Sequence, residues 1–352
     1  MYHLHHLLLL ITILPTCSAA STSPLPEPVP RPTAPLSAKR DPHICGISLN
    51  STKQQPFNTV QAGFDIPVLS LRDADENQTF GYLQYPIFSQ GVALGGTDDD
   101  DDDCETHLRA QLRTQLVYDI ASTSAPPLML HSLHLAILPF PWVKIPAGLP
   151  DGGLNDTKSI VVTITITSPK SASITFFSGP KPEVTAGSAP SPPQLISNYT
   201  INLIPNGMQT WANITLENYE SLPDNMYRTP ENYTFHDLSP KSTANTTFCS
   251  SRAWWIISEA SSDRYRRWQD QIGDREYFPR FEPTSFWDMS ASTDKESISP
   301  IEQERLAERV DRWEMVQEDE TMGGRKLCWS VNGEGDGAGD RVRLVSQDAG
   351  RS

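Results

Sequence analysis

The stretch LRAQLRTQLVYDI, Leu108 to Ile120, alternates with a period of two. Its even positions (Leu108, Ala110, Leu112, Thr114, Leu116, Tyr118, Ile120) are mostly apolar. Its odd positions (Arg109, Gln111, Arg113, Gln115, Asp119) are polar, with Val117 the exception. A helix would align 108, 112, 116 and 120 but leave Val117 and Tyr118 off that stripe. A half-buried strand accounts for more of the residues. SIVVTITITS repeats the pattern, with Ile160, Val162, Ile164 and Ile166 on one parity. ASITFFS follows Pro169-Lys170, which predicts a hairpin over 159–178.

Further strands are expected at 79–88, 128–138 and 252–257. The run LMLHSLHLAIL is apolar on both faces, as in a central strand of stacked sheets. About eight to ten short strands with Pro, Gly and Asn between them, and no alternating helices, predict a mainly β domain over 41–258. The fold class is an antiparallel β-sandwich or jelly roll.

After 258 the pattern changes. SDRYRRWQDQIG spaces Tyr265, Trp268 and Ile272 helically, with Gly273 at the C-cap position. SPIEQERLAERVDRWEMV has Ser299 as N-cap, Pro300 at N1 and Glu302 at N3, and an apolar stripe of Leu306, Val310 and Trp313. Residues 259–335 therefore read as a helical appendage with a returning strand at KLCWSV. The Gly- and Asp-rich 336–352 reads as a disordered tail.

The first twenty residues carry the apolar run Leu7–Leu14 and small residues at Cys17–Ala20, the form of a secretory signal peptide. Prolines at 24, 26, 28, 30, 32 and 35 make 21–40 an extended segment ending in Lys39-Arg40, a dibasic pair suited to a kexin-type processing protease. The mature chain is then expected to start at Asp41. Export agrees with the sequons at Asn50, Asn77, Asn155, Asn198, Asn213, Asn232 and Asn245. Asn198 and Asn213 fall on the parity opposite to their apolar neighbours, which places both on an outward face. The four cysteines beyond the leader, Cys45, Cys104, Cys249 and Cys328, imply two disulfides; the sequence-local pairing is Cys45–Cys104 and Cys249–Cys328.

A formal net charge of −15 disfavours nucleic acid and anionic membranes as partners. No apolar run after the leader is long enough for a membrane span. The run Asp98–Asp103 lacks the alternation of ligands and turn residues that wraps a calcium ion, and reads as a solvated loop. His131 and His134 are three apart, so on a strand they face opposite ways and make no shared metal site. No metal and no cofactor are expected. G-x-S-x-G, H-E-x-x-H and phosphate-loop signatures are missing, and the carboxylates Glu105, Asp119, Asp237, Glu259 and Asp288 single out no catalytic pair.

Trp254-Trp255 must point to opposite faces of a strand. Trp254, Trp255, Trp268 and Trp287 are the candidates for stacking on a sugar ring. The functional expectation is a secreted, non-catalytic extracellular or cell-wall-associated binding protein, with a glycan or a cell-surface protein as partner. The alternatives are a carbohydrate-active hydrolase on a jelly-roll scaffold and an effector-like interaction protein.

Overall fold

A computed structural model of the chain describes residues 38–41, 43–52, 55–70, 87–96, 106–117, 128–138, 143–145, 154, 158–179, 194–206, 209–217, 232–236, 246–260, 279–305, 309–317, 325–332 and 341–346. The chain begins with β1 (Lys39–Asp41), β2 (Ile44–Asn50), β3 (Thr59–Asp65), β4 (Leu69–Ser70), β5 (Ile87–Gly95) and β6 (His107–Val117). There follow β7 (Leu128–Leu138), β8 (Val143–Ile145), β9 (Ser159–Ser168), β10 (Ser171–Ser178), β11 (Gln194–Asn206), β12 (Gln209–Glu217) and β13 (Asn232–His236). The C-terminal part holds β14 (Arg252–Ala260), β15 (Arg280–Phe281), β16 (Thr284–Ser292), β17 (Ser297–Ile298), α1 (Pro300–Arg305), β18 (Val310–Gln317), β19 (Arg325–Asn332) and β20 (Arg341–Ser346).

The strands form two layers, so the expected mainly β, antiparallel, sandwich-like fold is what the chain adopts. One layer runs β1–β18–β2–β14–β5–β6–β7–β8. The other runs β19–β20–β16–β3–β9–β10–β11–β12–β13. Strand β18 also pairs with β19 and so joins the two. Among the described strands every pairing is antiparallel except β1 on β18.

Alternation drives the packing. Leu108, Ala110 and Leu112 of β6 are buried, as are Ile160, Val162 and Ile164 of β9 and Tyr199, Ile201, Ala212 and Ile214 of β11 and β12. Asn198, Thr200 and Asn213 take the outward parity and are half-buried. Trp255 sits fully inside, and its indole N–H donates to the Gln61 carbonyl across the layers at 2.9 Å. Gln90, also buried, donates from Nε2 to Thr284 Oγ1 at 3.0 Å between the layers, while its Oε1 has no hydrogen-bond partner among the described residues. The Phe64–Phe286 rings, 5.7 Å apart, pair between neighbouring strands β3 and β16 of the second layer, and Phe88–Phe281, 5.1 Å apart, packs β15 on β5.

Three expectations for the C-terminal part are corrected. The helix begun by the capping box is only α1. Arg309 takes a left-handed φ of 55°, and the chain then continues as β18 rather than as helix. Val310 enters the core and Trp313 lies on the opposite face, because residues three apart on a strand diverge. Pairing with β2 and β19 outweighs the local helix signal; Leu306 lies outside the described residues. Within the expected tail, RVRLVS forms β20, with Val342 and Leu344 buried against β16 and β19. Composition summed over 336–352 hides that short alternating run. Among its described residues, the stretch expected as a helical appendage is largely sheet.

The third correction concerns the bridges. Cys45 of β2 is bonded to Cys328 of β19, joining the two ends of the chain. Cys249 is also disulfide-bonded, and its backbone N–H bonds the Thr106 carbonyl at 2.8 Å; Cys104 lies outside the described residues. The leader, Asp98–Asp103, Asn77, Asn155, Asn245 and Trp268 are outside them too.

The Cys45–Cys328 bridge closes a loop across a sequence separation of 283 residues. Replacing both cysteines by Ser is expected to lower stability by about 3–5 kcal/mol in urea unfolding. Non-reduced peptide mapping of the wild type is expected to return Cys45 and Cys328 in one linked pair.

Candidate functional site

The outward face of the first layer carries a groove whose cause is side-chain size. Along β5, Phe88, Gln90, Val92 and Leu94 point inward, which leaves Ser89, Gly91, Ala93 and Gly95 outward. These small residues form a floor. On one side stand His107, Arg109, Gln111 and Arg113 of β6; on the other stand Arg252, Trp254, Ile256 and Ser258 of β14. The register sets Arg109 opposite Ala93 and Ala93 opposite Trp254, so Arg109 and Trp254 face each other across one residue of floor.

A cleft of about 200 Å³ opens here. Its walls include His107, Arg109, Trp254 and Ile256, extended by Ile44 of β2, Trp313 of β18 and Asp41 of β1. The His107 ring lies against Gly95, where a Cβ would come within 2.8 Å of Nδ1. Gly46 of β2, with φ of 147°, brings the backbone close beneath Ile256 and Trp313; a Cβ there would lie 2.1 Å from the Trp255 carbonyl.

The rim is fixed by a polar network. Arg252 donates from Nε to Asn50 Oδ1 at 2.6 Å and approaches Asp311 Oδ2 at 3.8 Å, with its guanidinium 5.1 Å from the Trp254 ring centre. Lys39 pairs with the same Asp311 oxygen at 3.1 Å and lies 5.2 Å from the Trp313 ring. Trp254 and Trp313 meet at a tilt, 5.1 Å between centroids, and the Trp313 indole donates to Ser48 Oγ at 3.1 Å.

Beyond the cleft the groove is covered. Ser89, Gln111 and Ser258 are buried although they sit on the outward parity, and Gln111 Nε2 donates to Ser258 Oγ at 3.2 Å. Ser89 Oγ and Gln111 Oε1 have no hydrogen-bond partner among the described residues. Burial lowers the affinity of Arg113 for its proton, to a pKa of about 10. Arg109 shifts the same way through desolvation, and the negative charge of Asp41 opposes that shift.

The residues singled out from sequence are dispersed. Trp255 is in the core and Trp287 is buried, so neither can stack on a ligand; of the described tryptophans in that set only Trp254 reaches the cleft. Asp288 is exposed at a bulge of β16, with φ of 50°. Glu105, Asp119 and Asp237 lie outside the described residues, and Glu259 is a β14 residue whose side chain is not described. His131 and His134 do not converge. They contact Thr114 Oγ1 and Ser132 Oγ respectively, each at 2.9 Å, and no cluster of metal-ligating side chains occurs among the described residues. Sequence reasoning missed Asp41, His107, Arg109 and Trp313. The signal for the groove was present in β5, whose outward parity is uniformly small.

No family model and no curated protein matches the chain. Solved structures similar to it include the following three. One is scytalido-glutamic peptidase with a transition-state analogue inhibitor, at 16% identity and TM-score 0.42, covering 87% of this chain and 98% of that one. A second is the same peptidase with a peptide-based transition-state analogue, at 17% identity and TM-score 0.40 over the same shares. The third is SCP-B, a member of the Eqolisin family of peptidases, in complex with the tripeptide Ala-Ile-His, at 16% identity, TM-score 0.39 and again 87% and 98%. All three are peptidases, so the expectation of a non-catalytic extracellular binding protein is not supported. That expectation leaned on missing serine, metal and nucleotide signatures, and a missing motif does not exclude acid–base chemistry by other side chains. At this distance their chemistry is not transferred to the present chain.

His131, on the inward parity of β7 beside Thr114, offers a test of the packing between the layers. Burial pushes its pKa below the ordinary value of 6.5, so the unfolded chain takes up a proton first as pH falls. Stability is therefore expected to decline as pH drops through 6.5 and towards the lower folded value. His131→Asn, which can keep a bond to Thr114, is expected to flatten that part of the curve in urea titrations between neutral and mildly acidic pH.

Proposed function

We propose that the chain is a secreted glycoprotein that acts on polypeptide, taking an extended segment alongside β18 with alternate side chains turned into the cleft. The observation that carries this reading is β1. Residues 39–41 already lie there as a strand, parallel to β18, with Lys39 opposite Trp313, Arg40 opposite Glu314 and Asp41 opposite Met315. Lys39 engages Asp311 and the Trp313 ring, while Asp41 lines the cleft. An extended peptide added to a sheet edge gains its affinity from main-chain bonds and its selectivity from alternate side chains. The chain's own segment exhibits both features.

Processing fits the same place. Lys39 and Arg40 are exposed and extended, and cleavage after Arg40 would remove most of β1 from the β18 edge. The acid–base groups at the cleft are the carboxylate of Asp41 and the imidazole of His107, with Arg109 as a fixed cation. Glycans on Asn198 and Asn213 would decorate the outward side of the second layer, remote from this face.

The test uses the secreted protein before and after cleavage at Arg40, incubated with a fluorescently labelled unfolded protein at several pH values. The cleaved form is expected to bind it at about micromolar affinity or to fragment it, and the uncleaved form to do so at least several-fold less well. Absence of both binding and fragments with the cleaved form would remove the reading.

A further inference from the structure

Two arginines face the cleft region, and they differ in what holds them. Arg252 is engaged by Asn50, Asp311 and the face of Trp254, and it braces the rim. Arg109 projects from near the start of β6 into the cleft. Among the described residues it makes no ion pair within 4 Å and no hydrogen bond from its guanidinium. A half-buried cation in that condition has lost hydration without a compensating partner, which is costly unless something else supplies the anion.

We infer that Arg109 is the specificity residue of the cleft and that it takes a carboxylate of the bound chain, either an acidic side chain or a free C-terminus. The inference rests on the polypeptide reading above. A guanidinium presents two parallel N–H donors that match a carboxylate, and partial exclusion of water strengthens such a pair. Trp254, across Ala93 from Arg109, and Trp313, packed on Trp254, supply an apolar wall for the residue next to the acid. The chain's own strand presents a carboxylate at this cleft: Asp41 acts on Arg109 through space, opposing the effect of desolvation, without forming an ion pair with it. A ligand carboxylate can thus approach closer to Arg109 than Asp41 does. Asp41 in turn opposes the incoming negative charge, which moderates affinity.

The experiment uses the protein cleaved after Arg40 and four fluorescent peptides of one sequence. They carry either Glu or Gln at a central position, each with a free or an amidated C-terminus. Binding is followed by anisotropy, with fragments checked in parallel. At least one carboxylate-bearing peptide is expected to bind about tenfold more tightly than the Gln peptide with an amidated end. Whichever arm carries the gain identifies the source of the carboxylate. Arg109→Met is expected to level the four peptides, Arg109→Lys to retain a reduced preference, and Asp41→Asn to strengthen only the acidic ligands. Equal binding of all four peptides to the wild type would overturn the inference and leave the polypeptide reading intact. Failure of the wild type to bind or cut any of them would remove that reading and this inference with it. The wild-type comparison stands even if a variant fails to fold.

Discussion

Strand β18 belongs to both layers, and the rest of the molecule depends on that double membership. Its first half pairs with β2 and its second half with β19. The change of partner falls between Trp313 and Met315, just before a bulge between Met315 and Val316. Cys45 on β2 and Cys328 on β19 are covalently joined at the same place, so the strand's two partners cannot separate. Because β18 is fixed there, Asp311 and Trp313 are presented on the outward face at a constant position. The cleft then has a wall whose location is set by backbone pairing rather than by a loop.

The groove follows from a simpler rule. In a sheet the distance between strands is constant, so relief on one face is made by alternating large and small side chains between neighbours. Strand β5 contributes Ser89, Gly91, Ala93 and Gly95 outward, while its inward set keeps the core filled with Phe88, Val92 and Leu94. One strand therefore serves two demands through its two parities. The result is a site built on strands, where the side-chain positions of Arg109 and Trp254 are fixed by register.

That rule also explains how much was legible in the sequence. Period-two alternation in 108–117 and 159–178 identified strands because half-buried antiparallel strands display their environment directly. The i, i+3 divergence of His131 and His134 was likewise readable, and both turn out bonded to neighbouring hydroxyls. The same rule applied to Val310 and Trp313 would have argued against a helical stripe, but the strong N-cap at Ser299 drew the reading the other way. Short-range signals mark where a helix can begin; they do not say that two remote strands will capture the chain after one turn. The Cys45–Cys328 bond was illegible for a related reason, since proximity across the whole chain is set by topology and not by spacing. The cleft combined residues from β1, β2, β5, β6, β14 and β18, and only the register could bring Arg109 and Trp254 together.

The dibasic pair gains a second meaning from this geometry. Its strand is three residues long and holds the β18 edge through a few main-chain bonds. The accompanying Lys39–Asp311 pair is partly exposed, and such pairs contribute only about 0–1 kcal/mol. If Lys39 is removed, Asp311 is not left unpaired, because Arg252 and Asn50 still reach it. The site is thus organised without β1, and β1 adds little that must be replaced. An occupant held so lightly against a preformed edge is easily exchanged for another extended segment. On the proposed reading, what the exchange selects for is decided by Arg109, the cation that β1 faces with Asp41 but does not engage.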